Sequence, residues 1–167
     1  MNERWASLLR PLYRLVGRLP ERVRVVLTGV RTPIYRLGSS CVIVDDEGRW
    51  LLVRHSYRPG WSLPGGGLSR GEDPAETARR EMREELQIEV ELGDPFPVVD
   101  GHYQRLTFLF PARITSGEPT VVTPELEEFG WYHPASLPEG DRWLRQVAES
   151  ARRHLAGDHP GMVIPEH

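Results

Sequence analysis

The sequence predicts an α+β fold, a mixed β-sheet with helices packed on it. Three observations predict it. Several short runs are rich in β-branched and aromatic residues, and two other runs carry helical periodicity. Strands and helices follow one another without a regular βαβα repeat. The chain has 167 residues, 39% hydrophobic and 27% charged, which suits one domain with a real core rather than a disordered chain.

The elements follow in order. Trp5, Leu8, Leu9, Leu12, Leu15, Val16 and Leu19 recur at three- and four-residue spacing and predict an amphipathic helix, with Pro11 starting or kinking it. "RVRVVLTGV" at 22–30 reads as a lead-in strand. Residues 41–44 and 50–56 read as a hairpin around an Asp46–Gly48 turn. "WSLPGGG" is a short strand entering a glycine loop. A helix is expected over 74–86, capped by Asp73 with Pro74 in its first position. Strands are expected at 88–92, 103–115 and within "EEFGWYHP", and a last helix over 143–155, with Gly157 beyond its end. The chain divides into a basic arm with its lead-in strand, 1–37, and a domain, 38–167.

Charge supports that division. Residues 1–37 hold eight arginines against two glutamates, a net +6, which leaves −9 for the remainder of a chain whose total is −3. The overall acidity argues against a stable nucleic-acid partner. No run approaches the roughly 20 apolar residues that span a bilayer, and the arm lacks the pattern of a secretory signal. The arm is expected to cover the domain or a second copy of the chain rather than a membrane surface. One cysteine, Cys41, allows no intramolecular disulfide and suits a cytoplasmic location. All 21 basic residues are arginine, which excludes any lysine-based mechanism.

The helix over 74–86 carries the chemistry. At 100° per residue Glu81 and Glu85 lie one turn apart on one side, with Glu84 on an adjoining side. Arg80 is four residues from both Glu76 and Glu84 and can hold either. Clustered carboxylates are costly unless their pKa values rise or a cation neutralises them. With only oxygen donors at hand, the cation is hard and divalent, Mg²⁺ or Mn²⁺. Gly65, Gly66 and Gly67 let the backbone approach a ligand, and the missing Gly-Lys-Ser/Thr ending excludes a P-loop. Carboxylate-bound cations hold phosphate oxygens well, so the implied substrate is a polyphosphate.

These residues carry a family resemblance. Gly66, Glu72, Arg80-Glu81, Met82, Glu84-Glu85 and Ile88 stand at the spacing of the Nudix box. Six fixed positions match by chance at about 10⁻⁷ per starting point. The likeness extends through "LPGGG" and "PELEEFGWYHPASLP", over roughly 38–140. It departs at Gln87, where the family has a glycine that ends the helix with positive φ. The resemblance implies an α/β/α sandwich and a Mg²⁺-dependent hydrolase that cleaves the pyrophosphate of a nucleoside diphosphate linked to another group, X. It implies that Glu81, Glu84 and Glu85 hold the metal with the Gly66 carbonyl, and that Glu125 or Glu128 supplies a further ligand or the base. Glu84 is the expected general base, with Glu81, Glu85 and Arg80 completing the catalytic set.

Other residues have plainer readings beside the functional one. Arg54 and His55 end a strand near the site and are candidate substrate contacts, yet a surface strand end explains them equally. Trp61 and Tyr103 could stack on a base, although such aromatics usually serve the core. Cys41 reads as inert packing. An isolated "REMREEL" would read as a solvated helix face. A Nudix-like module that binds nucleotide without cleaving it is the alternative function, and the complete set of glutamates weighs against it.

Overall fold

The computed structural model describes residues 14–20, 22–23, 34–100, 104–138 and 142–157. The chain forms two compact units, 1–34 and 35–167. In the first, 14–17 form a helical turn with Leu15 exposed. The rest of the expected arm helix before residue 14 lies outside the described residues. Of the expected lead-in strand, Arg22 and Val23 are helical and 24–30 lie outside the described residues.

The second unit contains β1 (Arg36–Ile43), β2 (Trp50–His55), β3 (Trp61–Ser62), β4 (Gly65–Gly67), α1 (Pro74–Leu86), β5 (Glu89–Leu92), β6 (Phe96–Asp100), β7 (Arg105–Ser116), β8 (Leu126–Tyr132) and α2 (Arg142–Leu155). One sheet runs β4-β1-β7-β5, with β6 also on β7; the other runs β3-β2-β8. β1 and β7 are parallel from Arg36 opposite Arg105 to Ile43 opposite Ala112, and the other pairings are antiparallel.

The expected hairpin of β1 and β2 is only partly formed. Asp45 Oδ1 accepts from the Glu47 and Arg49 amides and shapes the turn. A single bridge joins Val44 to Trp50, and the strands then enter different sheets. The reason is burial on both faces. Cys41, Ile43, Leu51, Val53 and Phe110 pack with Met82 and Leu86 of α1. Val42, Trp50, Leu52 and Leu109 pack with Leu144, Val147 and Ala151 of α2. Alternate residues of one strand thus serve two cores, which makes the unit a three-layer α/β/α sandwich. Met82 and Leu86 are fully buried. Each contributes roughly 1.5–3 kcal/mol of apolar burial, and polar substitutions there would detach α1 from the sheets.

Local signals set α1. Asp73 accepts from the Ala75 and Glu76 amides, and Pro74 occupies the first turn, where its missing N–H costs nothing. Ser39 Oγ donates to the Pro74 carbonyl at 2.7 Å and ties the helix start to β1. At the far end Gln87 is left-handed, φ 56° and ψ 35°, and the Gln87 and Ile88 amides donate to Arg83 and Met82. The Thr120 amide donates to Leu86 and satisfies another terminal carbonyl.

Candidate active site

The glycine run expected as a loop is itself a strand. β4 pairs with β1, Gly66 opposite Ser39. Glycine is required at two of its positions. Gly65 has φ 142°, and a Cβ there would strike the Ser39 carbonyl. A Cβ on Gly66 would overlap the Glu81 carboxyl. The sheet edge therefore comes against α1 at the level of the glutamates.

Glu85 is the buried member, at 4% exposure. Its Oε2 accepts from the Gly65 amide at 3.2 Å. Burial pushes it up to about 8, with the charges of Glu81 and Glu125 adding to the rise and the Gly65 hydrogen bond and Arg58 opposing it. Burial also holds Glu81 above the ordinary carboxylate range, opposed by Arg80 and reinforced by Glu84 and Glu125. Glu84 is largely exposed, its side chain at 61%.

Arg80 organises this group. Its Nε and Nη2 grip Glu72 at 2.8 and 3.1 Å, and its Nη1 donates to Glu81 at 2.8 Å and Glu84 at 3.0 Å. This bidentate hold, with the Ser69 amide, draws Glu72 down to about 2, and Glu72 in turn keeps Arg80 above its usual value. Of the two partners that spacing allows Arg80, it takes Glu84, and Glu76 pairs with Arg79.

Glu125 sits in the turn before β8, where its carbonyl accepts from the Ser56 amide and hydroxyl. Its charge reaches Glu81 and Glu85. Glu128 stands opposite Arg54 on β2 and pairs with it at 2.7 Å, while Arg54 also reaches Glu127. The structure thus brings Glu72, Arg80, Glu81, Glu84, Glu85, Glu125 and Gly65–Gly67 together, and sets Arg54 and Glu128 against each other. Trp61 is half-buried, edge-on to Tyr132 in the α2-side core. Tyr103 lies outside the described residues. Cys41 is fully buried, and burial raises its thiol to about 12, so it is inert.

The donor set fits a divalent cation. Every donor is oxygen, and Glu81 and Glu85 both carry the raised pKa that a cation would reverse. Among the described residues, no three His, Cys, Asp or Glu side chains stand as a ready cage; Arg80 holds Glu81 and Glu84, and the Gly65 amide donates to Glu85. Arg80 engages one oxygen of Glu81 and one of Glu84.

Sequence reasoning missed Arg36, Arg58 and Arg105, which line a cavity of about 200 Å³ beside β4. Arg36 is counted with the arm by charge alone, and Arg58 lies in a Pro-Gly turn that carries no motif. His55 is 3% exposed with no hydrogen-bond partner on either ring nitrogen; burial, then Arg58, lowers it to about 4.

An acidic, oxygen-only cluster on a helix abutting a glycine strand in an α/β/α sandwich fits a hydrolase of phosphoanhydrides. The NUDIX domain family matches residues 34–153. A Bacillus subtilis (strain 168) protein, provisionally named an 8-oxo-dGTP diphosphatase, is 32% identical over 110 residues, covering 63% of this chain and 71% of its own length. The crystal structure of a MutT Nudix hydrolase from Burkholderia pseudomallei superposes with a TM-score of 0.59 at 31% identity, over 68% of this chain and 95% of that one. A UDP-X diphosphatase structure superposes with a TM-score of 0.67 over 98% of this chain and 85% of its own, sharing the fold at 22% identity. The chain belongs to the Nudix hydrolase family, and its activity is that of a Nudix pyrophosphohydrolase. Members of the family generally use divalent metals. Among the described residues no helix is long and apolar enough to cross a membrane.

Proposed function

We propose that this chain cleaves the pyrophosphate bond of a nucleoside diphosphate linked to a group X, with Mg²⁺ as cofactor and Mn²⁺ able to replace it. The observation that carries this reading is the pairing of buried Glu85 with half-buried Glu81, both held above the ordinary carboxylate range, against Gly66. Glu81, Glu84, Glu85 and the Gly66 carbonyl would hold the ion. Glu125 is preferred to Glu128 as a further donor, because its charge acts on Glu81 and Glu85 while Arg54 occupies Glu128. When bound, the ion polarises the phosphoryl oxygens and lowers the pKa of the attacking water. Arg80 orients Glu81 and Glu84 and keeps Glu72 ionised as its own anchor. Glu84, the most exposed of the three, takes the proton of the water as general base. The inert, single cysteine suits a cytoplasmic setting. The names of the relatives, an 8-oxo-dGTP diphosphatase and the nucleoside triphosphatase NudI, set nucleoside triphosphates first in the substrate panel.

The test is release of phosphate or nucleotide from that panel in Mg²⁺, with Glu84→Gln and Glu85→Gln beside the wild type. Each variant is expected to lose at least about 10²-fold in kcat while remaining folded. Near wild-type turnover by either variant at saturating Mg²⁺ would refute the role given to that residue.

A further inference from the structure

The cavity beside β4 is built like an anion site. Side chains two apart on a strand share a face, so Arg36, Gly38 and Ser40 of β1 and Arg105 and Thr107 of β7 present one surface. Small residues, Gly38, Ser40, Gly65, Gly67 and Thr107, leave room above the sheet, and Arg36, Arg58 and Arg105 stand around it. The described lining carries no acidic side chain. Asp100 stands opposite Arg105 on β6, which leaves the surroundings net positive. Arg58 is steered by a hydrogen bond from its Nη2 to Ser62 Oγ at 2.8 Å, yet its Nε is buried without an acceptor. The guanidinium of Arg58 therefore keeps donor capacity that Ser62 does not use.

Size narrows the occupant. The volume is about 200 Å³, below the roughly 300–1,000 Å³ of pockets that enclose drug-sized ligands. It has room for one or two phosphates. Position links it to the glutamates. Gly65 lines the cavity while its amide reaches Glu85, so the edge strand β4 borders both the cavity and the acidic group.

We propose that Arg36, Arg58 and Arg105 bind an anionic part of the substrate beyond the scissile pyrophosphate, so that X is itself phosphate-bearing, as in a nucleoside triphosphate, and uncharged sugars are poor X groups. This rests on the hydrolase reading of the glutamate site. Bidentate guanidinium recognition suits phosphate oxygens, and all three cations are arginine.

Two measurements test it. The first compares kcat/KM for GTP and for GDP-mannose, which share a base but differ in the charge of X. GTP is expected to be favoured by at least about 10-fold, and Arg105→Gln and Arg36→Gln to reduce that ratio about 10-fold by raising KM for GTP. Arg113→Gln, an exposed arginine paired with Glu91, should leave the ratio unchanged. Equal use of both substrates by the wild type, or an equal effect of the variants on both, overturns the proposal. The second measures thermal unfolding in EDTA with millimolar inorganic tripolyphosphate. A rise in Tm of about 2–4 °C is expected in the wild type and its loss in Arg36→Gln. Absence of the rise in the wild type overturns the anion site whatever the turnover. Failure to hydrolyse any member of the substrate panel in Mg²⁺ refutes the hydrolase reading of the glutamate site instead, and the tripolyphosphate result still decides the cavity.

Discussion

Gln87→Gly should stabilise the protein. Gln87 lies just past α1 with φ 56° and ψ 35°, a conformation in which an L-residue crowds its own backbone. That crowding costs about 1–2 kcal/mol, and glycine escapes it. Against this, glycine gives up about 0.5–1 kcal/mol more conformational entropy on folding. The side chain of Gln87 is exposed and forms none of the core, so its removal costs little else. The difference is a gain of about 0.5–1 kcal/mol. The backbone does not relax away from the strain, because it is held on two sides. The Gln87 carbonyl lies where a Cβ on Gly117 would come within 2.5 Å of it, and the Thr120 amide caps Leu86. For a chain of this size the gain corresponds to about 1–4 °C in Tm, within reach of calorimetry or urea unfolding. Gln87→Ala keeps the Cβ and should show no such gain. A lower Tm for Gln87→Gly would mean that α1 ends in another conformation.

Three further outcomes are expected. Gly66→Ala pushes its new methyl into the Glu81 carboxyl, the movable end of a side chain, so kcat should fall at least about 10-fold while Tm changes by less than about 2 °C; the reverse pattern would remove Gly66 from the site. Glu85 is raised to about 8 in the folded chain, above its unfolded value, so its contribution to stability is full below the unfolded pKa and lost as pH rises towards 8. In EDTA, Glu85→Gln should therefore melt above the wild type at pH 8.5 and lose that advantage towards pH 4.5, and Mg²⁺ should raise the wild-type Tm more at pH 8 than at pH 5.5; equal Tm values at pH 8.5 would refute the shift. Deleting residues 1–20 should lower solubility or dissociate an oligomer and leave hydrolysis per site within about a few-fold, since every residue placed in the site lies between Arg36 and Glu128; arm-dependent co-sedimentation with anionic vesicles would refute docking on protein.

Local and periodic information was legible in the chain itself. The bounds of α1 follow from Asp73, Pro74 and the change of conformation at Gln87, all of which act within one turn. The facing of Glu81 and Glu85 follows from helical spacing, and the Nudix pattern follows from residue type at fixed intervals. Strands expected at 50–56, at 88–92 and within "EEFGWYHP" were readable from runs of β-branched and aromatic residues, and they lie at 50–55, 89–92 and 126–132. Pairing was not, because hydrogen bonds between strands depend on partners far along the chain. β1 and β2 look like a hairpin locally, yet β1 joins β7, more than 60 residues on, since both strands must bury two faces. The same reason hid β4: three glycines have no side-chain pattern, and only the approach of β1 makes them a strand. The division of the glutamates into buried Glu85, half-buried Glu81 and exposed Glu84 belongs to the packing of α1 on the sheets. The gathering of Arg36, Arg58 and Arg105 belongs to tertiary structure as well. They come from three separate segments, and burial and distance, which set what a charge costs and what it can hold, exist only once those segments meet.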